Sequence, residues 1–301
     1  MAELGRLLTA MITPFKADGS IDHGAAERLA AMLIADGSDG VVVSGTTGES
    51  PALSDDEKID LLKTVRGAIP GKTVISGTGS NDTHHSVKLS ERAMKGGADA
   101  LLAVVPYYNK PPQEGMFQHF KAISEAGPTI MYNIQGRTAI NMTAATTLRC
   151  AGLPGIVGVK EASGDLDQIG LVCAGKPAGF RVWSGDDSWT LPVLAVGGYG
   201  VICVVSHIAG ASMKAMIDAF EKGDTGRARK IHLGLLPVIK SLMTTAANPV
   251  PIKSVLNAIG FSAGPFRLPL VPLTDDQLRA VMGTVKEAGD LITFKAGVRV
   301  A

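Results

Sequence analysis

Lys160 closes an apolar, β-branched run in the stretch Gly155-Ile-Val-Gly-Val-Lys-Glu-Ala-Ser-Gly-Asp165. Ile156, Val157 and Val159 give that run the character of a strand buried on both faces, as in a parallel sheet. Lys160 is expected to leave the strand at its C-terminal end, where α/β barrels build their active sites. A primary amine placed there can attack a carbonyl carbon to give a Schiff base, and partial burial favours the neutral, nucleophilic form. Alone, Val-Lys-Glu reads more readily as a solvated lysine opening a loop, so the assignment depends on what else shares the rim.

Three other apolar runs end in groups that could serve such an amine. Residues 45–50, Gly-Thr-Thr-Gly-Glu-Ser, follow one run and precede a helical pattern. Glycines let backbone amides turn toward a ligand, Thr46 and Thr47 add hydroxyls, and a helix N-terminus favours anions, which together describe a carboxylate or phosphate pocket. A polar turn is the plain alternative. A further run ends in Pro106-Tyr107-Tyr108-Asn109, and another in residues 132–138, Tyr-Asn-Ile-Gln-Gly-Arg-Thr. A tyrosine can relay protons and an arginine can hold a carboxylate bidentately, with amphipathic packing and a surface position as the competing readings. Hydroxyls, a cation and Lys160 offered to one rim by several strand ends are hard to assign to packing alone.

The elements that must position these groups alternate along the chain. Strand patterns at 7–12, 41–44, 73–77, 100–105, 129–132, 156–159, 181–184 and 201–205 are followed by helical patterns at 22–35, 55–67, 82–96, 113–126, 143–150, 165–174, 188–196 and 211–222. Strand-helix alternation with short Gly/Pro/Asp turns predicts parallel strands with crossover helices, and its length predicts closure into a (β/α)₈ TIM barrel of the α/β class. Beyond Gly223 the strand signal stops, and 225–245, 249–259 and 274–289 read as helices. The expected organisation is a barrel over 1–223 and a C-terminal helical region over 224–301, with no flexible linker between them.

Composition narrows the function classes. A formal net charge of +1 with no basic stripe argues against a nucleic-acid partner. No apolar run reaches membrane-spanning length, and Met1-Ala-Glu-Leu-Gly-Arg6 lacks the apolar core of a secretion signal, so a cytoplasmic location is expected. Cys150, Cys173 and Cys203 cannot all pair and lack metal-ligand spacing, which fits a reducing compartment. His84 and His85 are adjacent and cannot face one ligand from a helix, so no metal is expected there. Asp186 and Asp187 read as a capped turn rather than an acid pair.

Taken together, residues 45–50, 106–109, 132–138, 158–161, 184–187 and 197–205, with 248–253 and 267–270, resemble the dihydrodipicolinate synthase family of Schiff-base class I aldolases. The resemblance covers nearly the whole chain. It implies that Lys160 forms an imine with pyruvate, that Tyr132 stands over the imine and moves protons, and that Thr46 and Thr47 meet the substrate carboxylate. Thr46 and Tyr108 would complete a hydroxyl relay, with Tyr108 reaching the site from a neighbouring subunit, and Ile202 falls at a substrate-binding position. Arg137 matches the arginine that the synthase branch uses for the carboxylate of the incoming aldehyde. The implied reaction condenses pyruvate with L-aspartate 4-semialdehyde to 4-hydroxy-tetrahydrodipicolinate, on the route to diaminopimelate and lysine, without metal or organic cofactor and in a homotetramer built as a dimer of dimers.

The sequence departs from the family pattern at Gln135, Ala139, Cys203 and His207. These positions surround the second-substrate side and leave a paralogous 2-oxo-acid aldolase, dehydratase or deaminase as the alternative, with a non-catalytic carboxylate-binding barrel further away. Many synthases of the family are inhibited by lysine held by an acidic side chain on the third helix. Here His85 stands at that position, with Asp55 and Lys58 nearby, so weak feedback by lysine is expected.

Overall fold

The computed structural model describes residues 4–294. Residues 1–3, part of the basis for expecting no secretion signal, and 295–301, the end of the expected helical region, lie outside the described residues. Eight strands, β1 (Leu7–Ala10), β2 (Gly40–Val43), β3 (Thr73–Gly77), β4 (Ala100–Val104), β5 (Thr129–Asn133), β6 (Ile156–Glu161), β7 (Arg181–Ser184) and β8 (Gly200–Cys203), close into a barrel in sequence order. All neighbours are parallel, and β1 pairs with β8 to complete the ring. Around it run α1 (His23–Ala35), α2 (Asp55–Ala68), α3 (Thr83–Lys95), α4 (Gln113–Ser124), the short α5 (Gln135–Thr138), α6 (Ala144–Ala151), α7 (Leu166–Gly175), α8 (Thr190–Ala195) and α9 (Ser206–Glu221). The chain then adds α10 (Thr225–Thr244), α11 (Val250–Ala258) and α12 (Asp275–Glu287).

Helix starts follow from capping. Asp22, Ser54, Asp82, Thr143 and Asp165 each accept a backbone N–H of the first turn, and Ser54 forms a reciprocal box with Glu57. A cap of this kind contributes about 1 kcal/mol and fixes where the strand-to-helix turn ends. Alternation along the strands then sorts side chains into two cores. Leu7, Val41, Val74, Leu101, Met131, Val159 and Val201 face the helices, whereas Leu8, Val42, Ile75, Leu102, Ile130, Tyr132, Trp183 and Ile202 fill the barrel. Gly158 makes room for the largest of these, since a Cβ there would meet Trp183 Cζ3 at 2.6 Å and Arg181 O at 2.3 Å.

Several elements differ from the sequence-based expectation. β6 runs on to Glu161, so Lys160 lies inside the strand instead of beyond it. The pattern at 188–196 divides into a 3₁₀ turn, Asp187–Trp189, and α8. Helix α9 begins at Ser206, before residue 211, and contains a non-helical residue, Ala209, with φ of −139°. A break there hides the continuity of the element from a 3.6-residue pattern.

The C-terminal helices clasp the rim. Lys253 on α11 is fully buried and donates to Thr13 O at 2.9 Å and to Glu49 Oε1 at 2.7 Å, while Arg267 N donates to Glu49 Oε2 at 3.2 Å. A buried carboxylate is tolerable only with such partners. Through them residues 248–267 hold the turn that follows β2.

Candidate active site

Tyr132 on β5 and Lys160 on β6 are register partners, and both point into the barrel. Lys160 is 5% exposed, and its Nζ lies 4.3 Å from the centroid of the Tyr132 ring. Gly185, just past β7, preserves space for the lysine, because a Cβ there would come within 3.2 Å of Lys160 Cε. The next residue on each strand, Asn133 and Glu161, points the other way, toward the helices. Asn133 Nδ2 donates to both Glu161 oxygens at 3.1 and 3.2 Å, and Ser163 N donates to Oε1 at 2.9 Å. Burial pushes the Glu161 carboxyl above the usual range, opposed by these hydrogen bonds. This polar tie braces the two strand ends that carry Tyr132 and Lys160.

The turn after β2 is held tightly. Ser44 and Glu49 adopt left-handed φ values of 54° and 57°, and Thr13 Oγ1 donates to Gly48 O at 2.7 Å. Thr47 is buried, and its hydroxyl oxygen accepts from Asn248 Nδ2 at 2.9 Å. The expected helix N-terminus does not follow directly. A 3₁₀ turn, Ser50–Ala52, intervenes, and the first turn of α2 is already capped by Ser54. An anion at this turn would meet hydroxyls and loop amides and not a helix end.

Arg137 sits on α5, a one-turn helix that the sequence pattern did not separate from the strand end. Its Nη2 donates to Asn248 O at 3.1 Å. Gln135 opens this turn, and Ala139 ends it with φ of 63°, a conformation that a glycine adopts more cheaply. Two of the departures from the family pattern thus shape the support of Arg137. The other two are structural. His207 is fully buried, and since the Ile12 N–H can only donate, Nε2 accepts it at 3.1 Å and the ring proton sits on Nδ1, which donates to Val204 O at 2.8 Å. Burial pushes His207 down to about 4. Cys203 Sγ accepts from Ser206 N at 3.3 Å, and burial pushes its thiol up. Beside them Asp187 accepts the backbone N–H groups of Val204 and Val205, and burial pushes it up to about 6. Asp186 accepts from Ser188 N and Oγ, the capped turn expected from sequence.

A cavity of about 650 Å³ opens at this end of the barrel, lined in part by Thr46, Tyr107, Tyr132 and Arg137. Thr47 and Lys160 are not part of that lining; Thr47 follows Thr46 in the chain, and Lys160 lies against the ring of Tyr132. The chain's own Tyr108 is 88% exposed with φ of 73° and is not part of the lining, and Ile202 is wholly buried inside the barrel. A second arm of the cavity carries Asp55, Lys58 and His85, where His85 Nε2 lies 2.8 Å from Asp55 Oδ2. Burial pushes the Lys58 ammonium below its usual range, against the pull of Asp55.

Residues 3–288 match the profile of the Dihydrodipicolinate synthetase family. The chain belongs to that family. It is 54% identical over 288 residues to the 4-hydroxy-tetrahydrodipicolinate synthase of Moorella thermoacetica, covering 95% of this chain and 98% of the relative. A crystal structure of the family's enzyme from Cyanidioschyzon merolae with lysine bound superposes with a TM-score of 0.93 at 42% identity, covering 95% of this chain and 98% of that one. A structure described as the first monomeric dihydrodipicolinate synthase variant gives a TM-score of 0.92 at 38% identity, covering 95% and 97% of the two chains. This chain is therefore a lyase of the dihydrodipicolinate synthetase family. No described helix is long and apolar enough to cross a membrane.

Reasoning from sequence missed two supports of this family site: the Asn133–Glu161 tie and Asn248. The first could have been suspected from polar residues following Tyr132 and Lys160 directly, because alternation sends them to the opposite face. Asn248 falls in the segment 248–253 that carries the resemblance, but its contacts give no local signal, since its partners lie 201 and 111 residues away.

Proposed function

We propose that this chain condenses pyruvate with L-aspartate 4-semialdehyde to 4-hydroxy-tetrahydrodipicolinate through an imine on Lys160. The observation that carries the reading is the amine of Lys160 held inside the barrel over the Tyr132 ring, in a chain whose close relatives bear the synthase name. Lys160 Nζ attacks the pyruvate carbonyl carbon and water leaves, giving the iminium. Loss of a methyl proton gives the enamine, whose carbon attacks the aldehyde while the aldehyde oxygen takes up a proton. The amino group of the new adduct then attacks the imine carbon, which closes the ring and frees Lys160. Tyr132 carries the protons, Thr46 and Thr47 hold the pyruvate carboxylate, and Arg137 holds that of the aldehyde. Ile202 supports the floor of the site.

The exposure of Tyr108 supports its assignment to the site of a second copy, within a homotetramer of two dimers. The reading includes a cytoplasmic location and a division at residue 223 between barrel and helical extension. The test is turnover of L-aspartate 4-semialdehyde with pyruvate, coupled to a reductase that consumes the cyclic product. Pyruvate- and aldehyde-dependent reduction is the expected result. Imine formation with pyruvate but no turnover of this aldehyde would reassign the chain to a paralogous 2-oxo-acid enzyme.

A further inference from the structure

Asn248 belongs to the segment between α10 and α11, outside the barrel, yet it touches both carboxylate-binding sides of the site. Its Nδ2 donates to Thr47 Oγ1 at 2.9 Å, and its backbone carbonyl accepts from Arg137 Nη2 at 3.1 Å. Its Oδ1 is buried without a hydrogen-bond partner. The opposite orientation of the amide would leave two donor hydrogens buried in place of one acceptor, which is the costlier arrangement. An amide NH₂ can only donate, so the Thr47 oxygen is the acceptor in this contact. A hydroxyl has a single hydrogen, and that of Thr47 is thereby turned to another partner.

We propose that Asn248 is a positioning residue that orients the Thr47 hydroxyl as a donor to the pyruvate carboxylate and steadies Arg137 through its carbonyl. The proposal rests on the roles assigned above to Thr47 and Arg137. It links the two substrate carboxylates through one residue of the C-terminal extension. The same extension fixes the rest of the turn, with Lys253 on Glu49. The side chain of Asn248 acts on pyruvate alone, because the contact to Arg137 uses a backbone oxygen that every substitution retains.

A double-mutant cycle on the full chain separates this role from a merely structural one. Asn248→Ala, Thr47→Val and the double variant are compared by the pyruvate concentration giving half-maximal borohydride trapping at Lys160, and by KM for each substrate. Asn248→Ala is expected to raise the pyruvate value about fivefold to twentyfold, the loss of one oriented hydrogen bond, while the aldehyde KM moves less than threefold. In the Thr47→Val background the same substitution should change the pyruvate value by less than twofold. Equal effects in both backgrounds would overturn the proposal while leaving the role of Thr47 intact. If Thr47→Val itself leaves pyruvate binding unchanged, the assignment of Thr47 fails, and the proposal with it. Should Asn248→Ala fail to fold, the isosteric Asn248→Asp takes its place. Its carboxylate can only accept, so it draws the Thr47 hydrogen away from pyruvate, and a pyruvate value unmoved by that variant would also overturn the proposal.

Discussion

Lys160 and Tyr132 are direct register partners on adjacent parallel strands, which sets the lysine amine 4.3 Å from the centroid of the tyrosine ring. The pairing is a property of the sheet, not of a loop, so the amine and the phenol keep their relation without a bound substrate. A ring at this distance attracts a cation, which favours the iminium once it has formed. The tie between Asn133 and Glu161 on the outer face keeps the two strands from slipping, since a shift of one residue in either strand would turn its own group out of the barrel.

Replacing Arg137 by Ala should weaken the aldehyde far more than pyruvate. The side chain is exposed at the cavity and bonded to the Asn248 carbonyl. Loss of a charge-assisted hydrogen bond from such a position is expected to cost about 1–3 kcal/mol in kcat/KM for the aldehyde. Steady-state kinetics with each substrate varied in turn is the check. A rise in the pyruvate KM alone would show that Arg137 serves the other substrate.

Feedback by lysine is expected to be weak. Asp55 and Asp82 are the carboxylates near His85 that could hold an ammonium group. Asp55 already lies 2.8 Å from His85 Nε2 and 3.9 Å from Lys58 Nζ, and Asp82 caps α3 by accepting His85 N at 3.0 Å. A lysine ligand entering this arm of the cavity would have to displace these partners. Initial rates at subsaturating pyruvate across a lysine titration should stay nearly flat to millimolar concentration, whereas strong inhibition at submillimolar lysine would refute the expectation. A gain of sensitivity in His85→Glu would support the cause given.

Two buried groups beside β8 should oppose each other in the dependence of stability on pH. His207 is depressed from 6.5 to about 4, so the stability it contributes is present above pH 6.5 and lost as pH falls through 4. Asp187 is raised from 3.8 to about 6, so its contribution is present below pH 3.8 and lost as pH rises through 6. Each shift corresponds to an effect on the order of 3 kcal/mol, and between pH 6 and 4 they nearly cancel. Asp187→Asn removes the compensating member. The variant should lose stability more steeply than the parent between pH 6.5 and 4, as read by thermal melts across that range. Parallel curves for the two proteins would contradict this account.

The barrel was legible because its rules are local. Asp22, Asp82 and Asp165 announce the helices they cap, and short apolar runs between them mark strands to within a few residues. Lys160 could be picked out because several other strand ends offer hydroxyls and a cation to the same rim. Less legible were features decided by tertiary contact. The helical turn at Gln135–Thr138 is too short to show a period, and it carries Arg137 away from the strand line. His207 stood out as a departure near the second-substrate side, yet its two backbone partners, Ile12 and Val204, make it a buried strut between loops. Asn248 and Lys253 lie in a segment that carries the family resemblance, but their contacts were not legible, because the turn after β2 that they hold lies some two hundred residues earlier.

The central claim is that Lys160 is the nucleophile, and borohydride reduction in the presence of pyruvate followed by peptide mass spectrometry tests it most directly. The account predicts a reduced pyruvate adduct on the peptide containing Lys160. It also predicts loss of that adduct in Lys160→Ala, with thermal stability within a few degrees of the parent. An adduct on another lysine, or trapping that survives Lys160→Ala, would contradict it.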